Sequence, residues 1–206
     1  MYGLVSTYKK ERNQVFTMIA TDGSKGGSSK GDLLSKKRKQ EAIAGLKKIS
    51  KPIFLNIPDG ELGEDPEHRR TIKENILKIM PDLIITHSQN DYHSDHRSLS
   101  FITSTIVSHY IPVIYCDTLM GINFNPNFYI DITEHFLLKK EAILKHETQK
   151  PQRFIDLAKL MNSYRAAQCN AVKGKYAEAY SFEPSFPFTD IRHILPSPLQ
   201  LKPFHI

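Results

Sequence analysis

Five short β-branched apolar runs alternate with longer stretches of helical periodicity, and this alternation leaves few folds open. The runs are residues 15–21 (VFTMIAT), 52–57 (PIFLNI), 83–86 (LIIT), 112–117 (PVIYCD) and 128–132 (FYIDI). Turn residues bound them: Asp22-Gly23 ends the first and Pro58-Asp59-Gly60 the second. Between them, residues 35–49 carry Ala42, Ile43, Leu46 and Ile49 at helical spacing, and 67–80 carry Ile72, Ile76, Leu77 and Met80 until Pro81 stops the segment. Residues 96–109 read as a third helix through Leu99, Ile102 and Ile106. Thr133 reads as an N-cap, with Glu134 in the first turn of a helix reaching 147. Pro151 opens another helix to 173, with Phe154, Leu157, Leu160 and Met161, and 176–180 (YAEAY) closes the series. Strand and helix in alternation predict an α/β fold, a mostly parallel sheet covered by helices on both faces. The 206 residues suit one such domain, over 1–182, with a Pro-rich segment at 183–206.

The chain carries a formal charge of +6. Six of its basic residues (Lys36, Lys37, Arg38, Lys39, Lys47, Lys48) fall in or beside the 35–49 helix. No nucleic-acid module and no interleaved aromatics accompany them, so the lysines read as a solvated face and no nucleic-acid partner is expected. Cys116 and Cys169 show no metal-binding spacing and read as reduced, buried or semi-buried thiols. No apolar run reaches membrane-span length and no secretory h-region is visible, so a cytoplasmic protein without a membrane partner is expected. The number of copies is left open, a homo-oligomer included.

In parallel sheets of this kind the chemistry lies beyond the carboxyl ends of the strands. Three loops fall there, after Thr21, after Ile57 and after Thr86. The third carries Asp91, His93, Asp95 and His96 within six residues. Neutral imidazole binds zinc readily and a carboxylate beside it fixes its tautomer. His93 could alternatively become cationic beside Asp95 and stabilise an oxyanion. The competing reading is a polar loop with a capping Asp and solvated histidines. Arg38 could clamp an anionic substrate group, or pair with Glu41 one turn on. The loop 23–31 (GSKGGSSKG) fits no phosphate-loop register and reads as a flexible lip of the cleft. Near the end of the 133–147 helix, Lys140, His146 and Gln149 serve a site or the helix terminus.

Taken in order, TDG (21–23), Arg38-x-x-Glu41, PDG (58–60), D-x-H-x-D-H (91–96), YIDIT (129–133), KKEAILKHETQ (139–149) and YAEAY (176–180) resemble the PIG-L/LmbE-like family, over roughly residues 3–182. That family comprises zinc-dependent de-N-acetylases acting mostly on N-acetylglucosamine conjugates. The resemblance implies a Rossmann-like three-layer α/β/α domain and zinc-dependent deacetylation of a small N-acetylated sugar conjugate. It makes His96 the zinc ligand and His93 the oxyanion stabiliser, held by Asp95. Asp91 becomes a proton shuttle near the leaving amine, and Arg38 binds substrate.

The chain departs from the family at its start. Family members open with a strand ending in an Ala-His-Pro-Asp-Asp-Glu block, which supplies two further zinc ligands and the general base. Here residues 3–12 resemble the helix that follows that strand, and no His precedes His68. The first strand is therefore expected to be missing and activity of these 206 residues to be low or absent. A truncated enzyme and a degenerate, sugar-binding paralogue both fit. Truncation is favoured because the remaining site residues are intact.

Overall fold

The computed structural model describes residues 1–25, 31–107, 109–171 and 174–203. Residues 26–30 of the expected lip and 172–173 at the end of the last expected helix lie outside these. Helices α1 (Tyr2–Lys10), α2 (Asp32–Leu46), α3 (Pro66–Ile79), α4 (Ser94–Val107), α5 (Phe136–Leu144) and α6 (Pro151–Gln168) alternate with strands β1 (Met18–Thr21), β2 (Ile53–Ile57), β3 (Ile84–His87), β4 (Val113–Cys116), β5 (Phe128–Asp131) and β6 (Ala177–Phe182). Some helices start on local signals. Asp65, for example, caps α3 by accepting from the Glu67 amide at 2.8 Å, with Pro66 at the first helical position.

The expected α/β layering is present, but the sheet is divided. β1 and β2 pair parallel as a two-stranded unit, and the other four strands run in the order β3-β4-β6-β5. β3 and β4 pair parallel, while β6 lies antiparallel to both β4 and β5. β1 and β3 thus each carry ladder bonds on one side only among the described residues.

Period-2 alternation in the strands builds two cores, one on each face of the four-stranded sheet. Ile84, Val113, Tyr115, Tyr129 and Ala179 face α3 and α4, meeting Ile72, Ile76, Ile102 and Val107. Ala20 and Ile57 join that cluster from the two-stranded unit. The alternate residues Ile85, Ile114, Cys116, Ile130 and Tyr180 face Leu4 of α1. The C-terminal segment folds onto this second core. Ile191 is buried, Phe188, Ile194 and Leu195 pack beside it, and the Tyr8 hydroxyl donates to the Ile194 carbonyl at 2.8 Å. Each fully buried side chain, such as Ile114, contributes about 1.5–3 kcal/mol of apolar burial. No helix among the described residues is long and apolar enough to cross a membrane.

Thr133 does not cap α5. Its hydroxyl accepts from the Lys175 and Tyr176 amides, at 3.0 and 3.3 Å, which ties the end of β5 to the start of β6. Its own amide is held by Asp131, and residues 133–135 form a 3-10 turn, so α5 begins only at Phe136. The long-range bond takes the oxygen that a cap would need.

A buried carboxylate joins the layers. Glu178 of β6 is only 4% exposed and accepts from the Gly3 and Leu4 amides at 3.1 and 2.9 Å. It also accepts from Lys139 Nζ and the Tyr180 hydroxyl, both at 2.7 Å. The first turn of α1 thereby meets an anion where its amides lack helical partners. Gly3 permits this approach, since a Cβ there would lie 2.2 Å from Ile132 Cγ2. Burial pushes the Glu178 pKa up, but Lys139 and the hydrogen bonds outweigh it and hold it well below the usual 4.5. A depressed folded pKa means that the carboxylate's contribution is full above that usual value and fades as pH falls through the folded one. Glu178→Ala is expected to lower unfolding free energy at pH 7 by about 3–5 kcal/mol, read from urea midpoints. The variant should also lose the part of the acid-side decline that this carboxylate causes.

Candidate functional site

The three loops expected at the carboxyl ends of the strands converge, and two aspartates join them. Asp22 Oδ1 accepts from the Ser24 amide at 3.0 Å and the Asp59 amide at 3.1 Å, linking the loops after β1 and β2. Asp95, buried at the start of α4, accepts from the Gly60 and Leu62 amides at 2.8 and 3.3 Å. Its carboxylate therefore fixes the PDG turn. His93 Nδ1 accepts from the Asp95 main-chain amide at 3.2 Å. An accepting Nδ1 places the ring proton of neutral His93 on Nε2, ready to donate.

Asp91 folds the loop on itself. Its Oδ1 accepts from the His93 amide at 2.9 Å and lies 3.1 Å from His96 Nδ1. His96 stacks on His87, with centroids 3.8 Å apart and planes 5° from parallel, and on His93 at 4.7 Å. Stacked imidazoles disfavour double protonation. Burial pushes the His87 pKa down to about 4, with His96 adding to the effect, and burial also lowers that of His96. Both rings are thus neutral and able to act as ligands near neutral pH.

The donor atoms of His87, Asp91 and His96 all lie within 4.8 Å of one another. His96 Nδ1 is buried with no hydrogen-bond partner in line, although the Asp91 oxygen is close. Three such donor atoms converging on one point, with no protein hydrogen bond completing His96 Nδ1, fit a divalent metal. Two imidazoles and one carboxylate also match the three-ligand open sites that zinc takes in enzymes. His96 is where the sequence reading placed a ligand. His87 was missed, because the strand was ended at Thr86; one further residue would have put an imidazole at its carboxyl tip.

The cluster lines a cleft of about 560 Å³. Lys139, His146, Gln149, Asn162 and Glu178 line it too. The neighbours Lys139 and Lys140 divide: Lys139 donates to Glu178 and to Asn162 Oδ1, while Lys140 is exposed. Asp117, at the carboxyl end of β4, is held by a two-point pair with Arg165 at 2.6 and 3.0 Å. A buried carboxylate inside an apolar strand pattern (YAEAY) was the signal that could have flagged Glu178.

Arg38 lies beside the cleft and is not among its lining residues. Its Nη1 donates to the Gly23 and Lys25 carbonyls, both at 2.7 Å, and sits 3.8 Å from Asp59. With the Gln149 amide turned oxygen-inward, that oxygen accepts from Arg38 Nε at 3.0 Å and Nη2 at 2.7 Å. Arg38 thus braces the rim through Gln149. Glu41 does not pair with it, since Glu41 accepts from the Thr148 amide and hydroxyl at 2.9 and 2.7 Å.

A cluster of two half-buried histidines and one buried aspartate, set in a cleft beyond the strand ends of an α/β domain, is a group of donors able to hold a divalent metal. The PIG-L family profile, described as GlcNAc-PI de-N-acetylase, matches residues 1–107, and the chain belongs to this family of enzymes. A diacetylchitobiose deacetylase from Thermococcus kodakarensis is 28% identical, the alignment covering 88% of this chain and 78% of the relative. The solved structure of an N,N'-diacetylchitobiose deacetylase from Pyrococcus horikoshii superposes with a TM-score of 0.76 at 20% identity, covering 89% of this chain and 78% of its own. A 4-carboxy-2-hydroxymuconate hydratase from Pseudomonas putida superposes with a TM-score of 0.72 at 17% identity, covering 87% and 88%. Both structural likenesses show the fold, and the second is a reminder that one fold carries more than one reaction.

The metal assignment makes a direct prediction. Titrated with zinc, His87→Ala, Asp91→Asn and His96→Ala are each expected to bind at least about tenfold more weakly than the parent chain, while His146→Ala binds as the parent does. Unchanged affinity in all three would remove the site.

Proposed function

We propose that the cleft takes the N-acetyl group of an N-acetylglucosamine-type conjugate and hydrolyses its amide bond with the help of a divalent metal, zinc. The observation that carries this reading is the three-donor cluster of His87, Asp91 and His96 in the lining of the cleft, in a chain of the de-N-acetylase family. The name of the Thermococcus relative supports an acetylated amino sugar as the substrate class. His87, Asp91 and His96 would hold the metal, which supplies Lewis acidity toward the acetyl carbonyl. His93, with its Nδ1 occupied by the Asp95 amide, presents Nε2–H beside His96 as a donor to the developing oxyanion. Asp91, next to that position, is the carboxylate able to move a proton toward the leaving amine. Arg38 keeps Gln149 at the rim. A cytoplasmic, sugar-directed enzyme without a nucleic-acid partner is the accompanying reading.

A second reading has its own observation. The other carboxylates lining the described cleft, Asp117 and Glu178, are both engaged by cations, Arg165 and Lys139. General-base work then falls on Asp91, which is also a metal donor, and turnover is slowed. In the limit the chain is a sugar-binding domain without hydrolysis.

Acetate release from N,N'-diacetylchitobiose by the zinc-loaded chain separates the two. Slow, zinc-dependent release that falls at least about a hundredfold in His96→Ala supports the hydrolase. Binding of the acetylated sugar without release supports the second reading. No binding of any acetamido sugar would sink both.

A further inference from the structure

The cleft is lined by two chemically different sets of side chains. One is the polar group of His87, Asp91 and His96. The other is a wall of Leu119, Met120, Phe154, Leu157, Ala158 and Met161. Four of these recur on α6 at positions 154, 157, 158 and 161, which is one face of a helix. Such a stripe ordinarily seals a core. Here none of the four belongs to either buried cluster, and Phe154 is 37% and Met120 40% exposed.

The wall is built rigidly. Arg165 of α6, 3% exposed, grips Asp117 at the end of β4 by two hydrogen bonds. Gly121, with φ of +69°, lets the 119–121 turn close on that guanidinium: a Cβ there would sit 2.7 Å from Arg165 Nη2. The Thr118 hydroxyl donates to the Ile122 carbonyl at 2.6 Å and fixes the turn from its other side. Asp117, Arg165, the Thr118 hydroxyl and Asn162, which border the wall, are already partnered within the protein. A second sugar ring seated there would bury hydroxyls against apolar carbon with few groups to receive them, at a cost of about 1–3 kcal/mol for each bond left unmade. An alkyl or aryl group meets no such cost and gains about 25 cal/mol for each Å² it buries.

We infer that this wall is an aglycone subsite, and that the preferred ligand is an N-acetylated amino sugar carrying an apolar aglycone rather than a second sugar. The inference rests on the reading of the polar residues as an acetamido-sugar site.

Calorimetric titration of the zinc-loaded full chain with four ligands tests it: N-acetylglucosamine, its β-hexyl glycoside, N,N'-diacetylchitobiose and hexyl β-glucoside. The hexyl glycoside of N-acetylglucosamine should bind about tenfold or more tighter than N-acetylglucosamine and than diacetylchitobiose. Phe154→Ser and Met120→Ser, both at exposed positions, should each reduce that preference at least about threefold. Diacetylchitobiose binding as tightly as the hexyl glycoside would overturn the subsite while leaving the acetamido-sugar reading intact. Hexyl β-glucoside, which lacks the acetamido group, binding as tightly as its acetylated counterpart would instead overturn the reading of the polar residues and the inference with it.

Discussion

The structure depends on one buried charge. Glu178 sits near the start of β6 between two buried alanines, and burying it alone would be prohibitive. It is tolerated because three groups from distant parts of the chain, two amides of α1 and the Lys139 ammonium of α5, converge on it together with the Tyr180 hydroxyl two residues along. The same requirement fixes where α1 enters, which residue can stand at position 3, and which face of α5 meets the cleft. A charge that needs every partner couples the layer above the sheet to the helices that line the site.

The site repeats this logic at its rim. Asp22, Asp95 and Arg38 are each bonded to main-chain groups of the rim loops. They use charge to hold main-chain groups of loops that would otherwise be independent. His87, Asp91 and His96 are therefore presented on a braced framework, with two imidazoles kept neutral by burial. Polar residues in these motifs divide between bracing and chemistry, and hydrogen-bond partners tell the two apart where residue type cannot. Asp91 and Asp95 stand four residues apart. One carboxylate faces an imidazole and the other two backbone amides.

Much of this was legible beforehand. The strands and helices follow from hydrophobic period and turn residues, and the family motifs pointed to the D-x-H-x-D-H loop, which supplies two of the three clustered donors. The misses have physical causes. Thr133 has the composition of a cap, yet a long-range bond to β6 claims its hydroxyl. The apolar stripe of α6 was visible as periodicity, but periodicity does not say whether a stripe faces a core or a cleft.

The sequence by itself determined the α/β class, the order of elements and the loop that carries the histidines, because these depend on local period, turn chemistry and residue type. Only the tertiary structure decided that β6 inserts antiparallel between β4 and β5, that His87 joins Asp91 and His96, and that Glu178 is the anchor of α1. Those facts rest on contacts between residues as many as 175 positions apart. The free energy of such contacts comes from burial and shared partners, which no local stretch of sequence contains.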